Sequence, residues 1–105
     1  MTKNEIPTFL NSFVEEQQKE ISKIREHFIF VAKLGALDYG ETVNVAIMNA
    51  ISVPYKKVIE TIDLFKENDM LSDYDYKFLR TKIGNSAFDA QCDIENAILE
   101  PKEAK

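Results

Sequence analysis

Apolar residues recur along much of this chain at intervals of three and four, the spacing of one face of an α-helix. Leu10, Phe13, Val14, Ile21, Ile24, Phe28 and Val31 form the first such stripe, interrupted at Gln17. Pro7 suits a first helical turn, where a backbone N–H has no intrahelical partner to lose, so a helix is expected over about 7–34. Its middle, EEQQKEISKIRE, is polar everywhere off the stripe. A helix this long in a chain of 105 residues is expected to project in part and to find a helical partner, a second copy of itself being the simplest. Phe9, Phe13, Ile21, Ile24 and Phe28 are the contact candidates for such an interface.

The glycine-flanked segment GALDYG reads as a turn. In ETVNVAIMNAI the first residues alternate as a strand would. No second strand exists to satisfy its backbone groups, so residues 41–51 read as a helix, apolar on nearly every side and buried at the centre. A turn around Ser52 then leads to a helix over about 54–68. Tyr55, Val58, Ile62 and Phe65 face inward, and Lys56, Lys57, Glu60, Asp63 and Glu67 face outward. Tyr74, Tyr76 and Phe78 alternate, but Ser72 is a good N-cap with Asp75 at capping-box spacing. Asp73 and Asp75 precede Lys77, Arg80 and Lys82, the charge order the helix dipole favours, and Gly84 sits where a C-terminal glycine belongs. A short helix is therefore expected there. A last helix follows from Asn85 or Ser86, with Ala87, Ala90, Ile94, Ala97 and Ile98 as its stripe and Pro101 as its end. The expected fold is all-α: one domain over 1–100, a compact bundle of about five helices, and a frayed tail at 101–105.

Residues 48–71, MNAISVPYKKVIETIDLFKENDML, resemble the recognition half of bacterial helix-turn-helix regulators. Ile51 and Val53 stand where those proteins carry the apolar pair around the turn. Val58, Ile62 and Phe65 stand at buried recognition-helix positions, and Met70 and Leu71 at the apolar pair that follows. The family has glycine where this chain has Ser52 and Asp69. The resemblance implies DNA binding through Lys56 and Lys57, helped by Lys77, Arg80 and Lys82. Yet Glu60 and Asp63 would face the same anionic groove, and no arginine lies in the helix. The same apolar spacing fits two packed helices, and that reading is preferred.

Composition narrows the picture. With 45% hydrophobic and 30% charged residues the chain is an ordinary folding sequence, and its single cysteine permits no intrachain disulfide. The N-terminus does not read as a signal peptide, and the longest apolar run, FIFVA, is too short for a membrane span, so a cytoplasmic location is expected. Net charge is −5, and residues 83–105 hold two basic and five acidic side chains, which counts against a phosphate-binding protein. Asp69, Asp73 and Asp75 do not meet calcium-loop spacing, because the glycine and glutamate such a loop requires are missing. One histidine and one cysteine cannot make a zinc site at ordinary spacing. Cys92 and His27 read as a packed thiol and a helix-surface imidazole, Glu15 and Glu16 as a solvated face, and no phosphate loop or nucleophile motif occurs. No metal and no cofactor are expected. The reading is a small non-enzymatic regulatory or adaptor protein acting through a helical surface on a protein partner, a homodimer included. The alternatives are a helix-turn-helix DNA-binding regulator and, third, an acidic inhibitor of a nucleic-acid-binding partner.

Overall fold

The computed structural model describes residues 2–100, so the tail expected at 101–105 lies outside the described residues. Three helices make up the fold: α1 (Ile6–Lys33), α2 (Glu41–Glu67) and α3 (Asp73–Leu99), with no strand among the described residues. They run up, down and up as a rod of 59 × 21 × 17 Å. The all-helical bundle agrees with the sequence pattern, whereas the number of helices is three rather than five.

Both missing breaks sit at residues that ordinarily end helices. Pro54 lies inside α2 and is buried. An interior proline costs about 3 kcal/mol, because it deprives the carbonyl four residues back of its donor and crowds it. Here the ring takes a core position in the sequence Ile47, Ile51, Pro54, Val58, Ile62, and packing of that face offsets the local loss. Ser52, expected in a turn, instead donates its hydroxyl to the Asn49 carbonyl within the helix at 2.8 Å. The two-helix unit implied by the helix-turn-helix resemblance is thus one continuous helix across residues 51–54. Nor is 41–51 a central helix: Ile47 and Ile51 are buried, while Val45 and Met48 are about half exposed, at 47% and 49%.

Gly84 likewise lies inside α3, and the stripe Leu79, Ile83, Ala90, Ile94, Ile98 passes it without a change of face. Ser72 caps this helix as expected. Its Oγ accepts from the Asp75 N–H at 3.1 Å, and its hydroxyl donates to Asp75 Oδ2 at 3.1 Å. Since α2 and α3 are each 27 residues long, they match the 28 residues of α1, and all three helices pack against one another. The projection expected of a long N-terminal helix was an outcome of counting its partners too short.

The real helix ends are closed by backbone geometry. At the end of α1, Gly35 takes φ 76°. Its N–H donates to the Ala32 carbonyl at 2.9 Å and that of Ala36 to Val31 at 3.3 Å, the paired bonds of a Schellman motif. At the end of α2 the same pair recurs, from Asp69 to Lys66 at 3.1 Å and from Met70 to Phe65 at 2.9 Å. There the left-handed residue is Asp69, with φ 56°.

Three substitutions follow from these backbones. A Cβ on Gly84 meets no heavy atom within 4 Å, so Gly84→Ala should raise stability by about 0.5–1 kcal/mol, read as a higher urea midpoint. A loss instead would place a helix end at Gly84. Asp69→Gly should stabilise by up to about 1 kcal/mol by relieving left-handed backbone strain, and Gly35→Ala should cost about 1 kcal/mol in the same titration.

Candidate interaction surface

The apolar residues nominated on α1 are mostly used inside the bundle. Ile21 is buried in the core, Phe13, Ile24 and Phe28 are partly buried against it, and Phe9 alone is exposed, at 50%. The face that looked free for a partner helix is therefore largely covered by the chain's own α2 and α3.

The nominated basic residues divide between open surface and helix seams. Lys56 and Lys57 are exposed on α2, and Lys77 is exposed on α3. Arg80 donates from Nη1 to Tyr76 Oη at 2.7 Å and lies 3.7 Å from Asp63 Oδ1. Lys82 donates from Nζ to Asn11 Oδ1 at 2.7 Å and to Glu15 Oε2 at 3.2 Å, tying α3 to α1. The structure does not gather these five cations into one patch with free charge.

Acid groups with calcium-like clustering also have structural employment. Asp73 pairs with Lys66 at 2.7 Å, which lowers the Asp73 pKa from its ordinary value and raises that of Lys66. Asp75 belongs to the Ser72 cap, and Asp69 ends α2. Among the described residues no group of three His, Cys, Asp or Glu side chains could hold a metal ion. His27 is exposed, its ring set edge-on to Phe28 at 6.5 Å, and Cys92 is half-buried.

Because α1 and α3 are parallel, side chains seven apart meet partners seven apart. Gln18 Nε2 donates to Ser86 Oγ at 2.8 Å, and one heptad on, Arg25 Nε donates to Asp93 Oδ2 at 2.7 Å. Across the α2–α3 seam the Tyr76 hydroxyl donates to Asp63 Oδ1 at 2.6 Å. These contacts set register and consume much of the polar chemistry on the flanks.

The outer face of α3 is unpartnered, and Phe30 on α1 and Val45, Met48, Val53 and Leu64 on α2 are exposed as well. Tyr74, Phe78, Thr81, Asn85, Phe88, Cys92, Glu95 and Leu99 succeed one another at alternating steps of four and three, opposite the core stripe. Tyr74, Phe88, Leu99 and Phe78 are 78%, 69%, 60% and 51% exposed. At the N-terminal end of this face, an open groove of about 600 Å³ is lined by Tyr74, Lys77, Phe78, Thr81, Lys82 and Asn85. The Lys82 ammonium lies 5.9 Å from the centre of the Phe78 ring. Sequence reading named Lys77 and Lys82 but missed Tyr74, Phe78, Phe88 and Leu99 as one exposed face, because splitting the helix at Gly84 hid the repeat. The signal was present in the strand-like alternation: on a helix, Tyr74 and Phe78 share one face and Tyr76 takes the other.

No family model, curated protein or solved structure matches the chain. No helix among the described residues is long and apolar enough to cross a membrane.

The Asp63–Tyr76 bond raises the Tyr76 pKa above its ordinary value of 10.0, with desolvation adding to the rise and Arg80 opposing it. A raised phenol pKa contributes stability that is complete below the unfolded value and is lost as pH climbs through the folded one. Wild type should therefore lose stability relative to Tyr76→Phe as pH is raised from 9 to beyond about 10, measured as the difference between their urea midpoints.

Proposed function

We propose that this chain is a non-enzymatic helical interaction module, acting as a regulator or adaptor by binding protein through the outer face of α3. The observation that carries this reading is the second stripe on α3, apolar at Tyr74, Phe78, Phe88, Cys92 and Leu99 and polar at Thr81, Asn85 and Glu95. One helix face builds the core, and the opposite face repeats the spacing that a partner helix requires. Exposed aromatics in a row, rimmed by charge, are the composition of a protein-binding patch. Asp75, Arg25, Asp93, Asn11 and Lys82 are engaged in a helix cap and interhelix seams, which supports a structural use of these polar groups beside a binding face. The helices supply a rigid platform, so recognition needs no folding step.

The test is retention from an extract of the source cells on the immobilised chain, with and without nuclease. Retention of protein, a second copy of this chain included, is expected on the native chain. It should fall at least tenfold with Phe88→Glu, whose helical circular dichroism and melting midpoint should remain native because the side chain is exposed. Retention that Phe88→Glu leaves unchanged, or that nuclease abolishes, overturns this reading.

A further inference from the structure

We infer that the occupant of the outer face of α3 is a second copy of this chain, docked antiparallel, α3 against α3. The inference rests on the reading of that face as a protein-binding surface, and it names the partner.

Charge along α3 is segregated in a way that fits this pairing. Beyond the first turn, residues 76–88 contain Lys77, Arg80 and Lys82 and no acid, while residues 89–100 contain Asp89, Asp93, Glu95 and Glu100 and no base. Two such helices laid parallel put like charge on like along their whole length. Laid antiparallel, each basic half lies over an acidic half, twice, by the same contacts. An anionic membrane or a nucleic acid would complement only the basic half.

The stripe itself allows the same alignment. Its ends are Tyr74 and Leu99, so a two-fold axis near residues 86–87 puts Tyr74 over Leu99 of the other copy and Phe78 level with its Glu95. Phe88 then lies close to the axis, and Thr81 comes level with Cys92 of the second copy. Lys77 comes level with the region of Glu95, and Lys82 with that of Asp89. Asp93 is held by Arg25, and Lys82 by Asn11 and Glu15, so Lys77 against Glu95 is the pair with most charge to offer. Thr81, Asn85 and Glu95 are the polar positions of the stripe, and polar residues in such seams select register at a cost in affinity.

Area agrees with a dimer of modest strength. The exposed parts of Tyr74, Phe78 and Phe88 amount to about two whole aromatic side chains, or roughly 400 Å². That is about half of the ~800 Å² per partner in a standard interface. Leu99, Thr81, Cys92 and the Lys77 stem extend it, so self-association is expected in the micromolar range.

Sedimentation equilibrium from about 1 to 500 µM, a range bracketing micromolar affinity, tests the proposal. Wild type should pass from monomer to dimer, and Phe88→Glu should weaken this at least tenfold with native helicity. Lys77→Glu and Glu95→Lys should each weaken it several-fold, and the two combined should recover most of the loss. Orientation is read with oxidised glutathione. Thr81→Cys should give a disulfide-linked dimer through Cys92 of the other copy. Wild type should give none, because antiparallel alignment leaves the two Cys92 residues about 16 Å apart along the axis. Monomer throughout, a dimer indifferent to Phe88→Glu, no recovery on combining the charge reversals, or a wild-type Cys92 crosslink overturns the proposal. Monomeric behaviour together with retention of another protein that Phe88→Glu abolishes would sink the second copy as occupant while leaving the interaction module standing.

Discussion

An apolar seam shared by three helices of nearly equal length, broken only by Gln17 on α1 among the described residues, holds this molecule together. Leu10, Val14 and Ile21 on α1, Ile47, Ile51, Val58 and Ile62 on α2, and Leu79, Ile83 and Ile94 on α3 are all nearly or wholly closed to solvent. Each fully buried aliphatic side chain contributes roughly 1.5–3 kcal/mol relative to exposure. A seam of ten such residues therefore outweighs the few kcal/mol that Pro54 and Gly84 cost locally. Breaking either helix would free those backbones but rotate the following turns out of register with the core.

Polar contacts then choose among the ways three such helices could slide. The Gln18–Ser86 and Arg25–Asp93 contacts both join residues 68 apart, so a displacement of one helical turn would break them together. Each pair is partly solvated and contributes little to stability by itself. Its value is in discriminating one register from its neighbours. Gln17 is a different case. It occupies a core position on α1 with its Oε1 buried and without a hydrogen-bond partner, a local cost that the surrounding aliphatic packing carries.

A rod only 17–21 Å across has consequences for function. Each helix touches both others, yet each keeps a broad outer face, and the open grooves lie on the surface instead of enclosing a cavity. Such a shape presents long faces along the rod. On α1 the outer face is polar over the EEQQKE segment. On α3 it carries aromatic rings at heptad spacing, and its charge is sorted by half. Exposed apolar side chains also stand on α1 at Phe9 and Phe30 and on α2 at Val45, Met48, Val53 and Leu64, so it is the spacing and charge sorting on α3 that carry the proposal of an interaction face there.

Helix content, the inward residues Leu10, Val14, Ile21, Val58, Ile62 and Ile94, and the Ser72 cap were legible in the linear pattern, because helical periodicity and capping are local properties. The number of helices was not. Pro54 and Gly84 carry the local marks of a start and a stop, and whether those marks are obeyed depends on packing energy that accrues only when α2 and α3 meet α1. The site followed the same division. Local amphipathicity nominated Phe13, Ile21, Ile24 and Phe28 as a partner surface, but a stripe on one helix does not say which neighbour will cover it. The bundle covered that stripe and left Tyr74, Phe78, Phe88 and Leu99 outside, since a helix with two apolar faces can bury only one of them in a three-helix core.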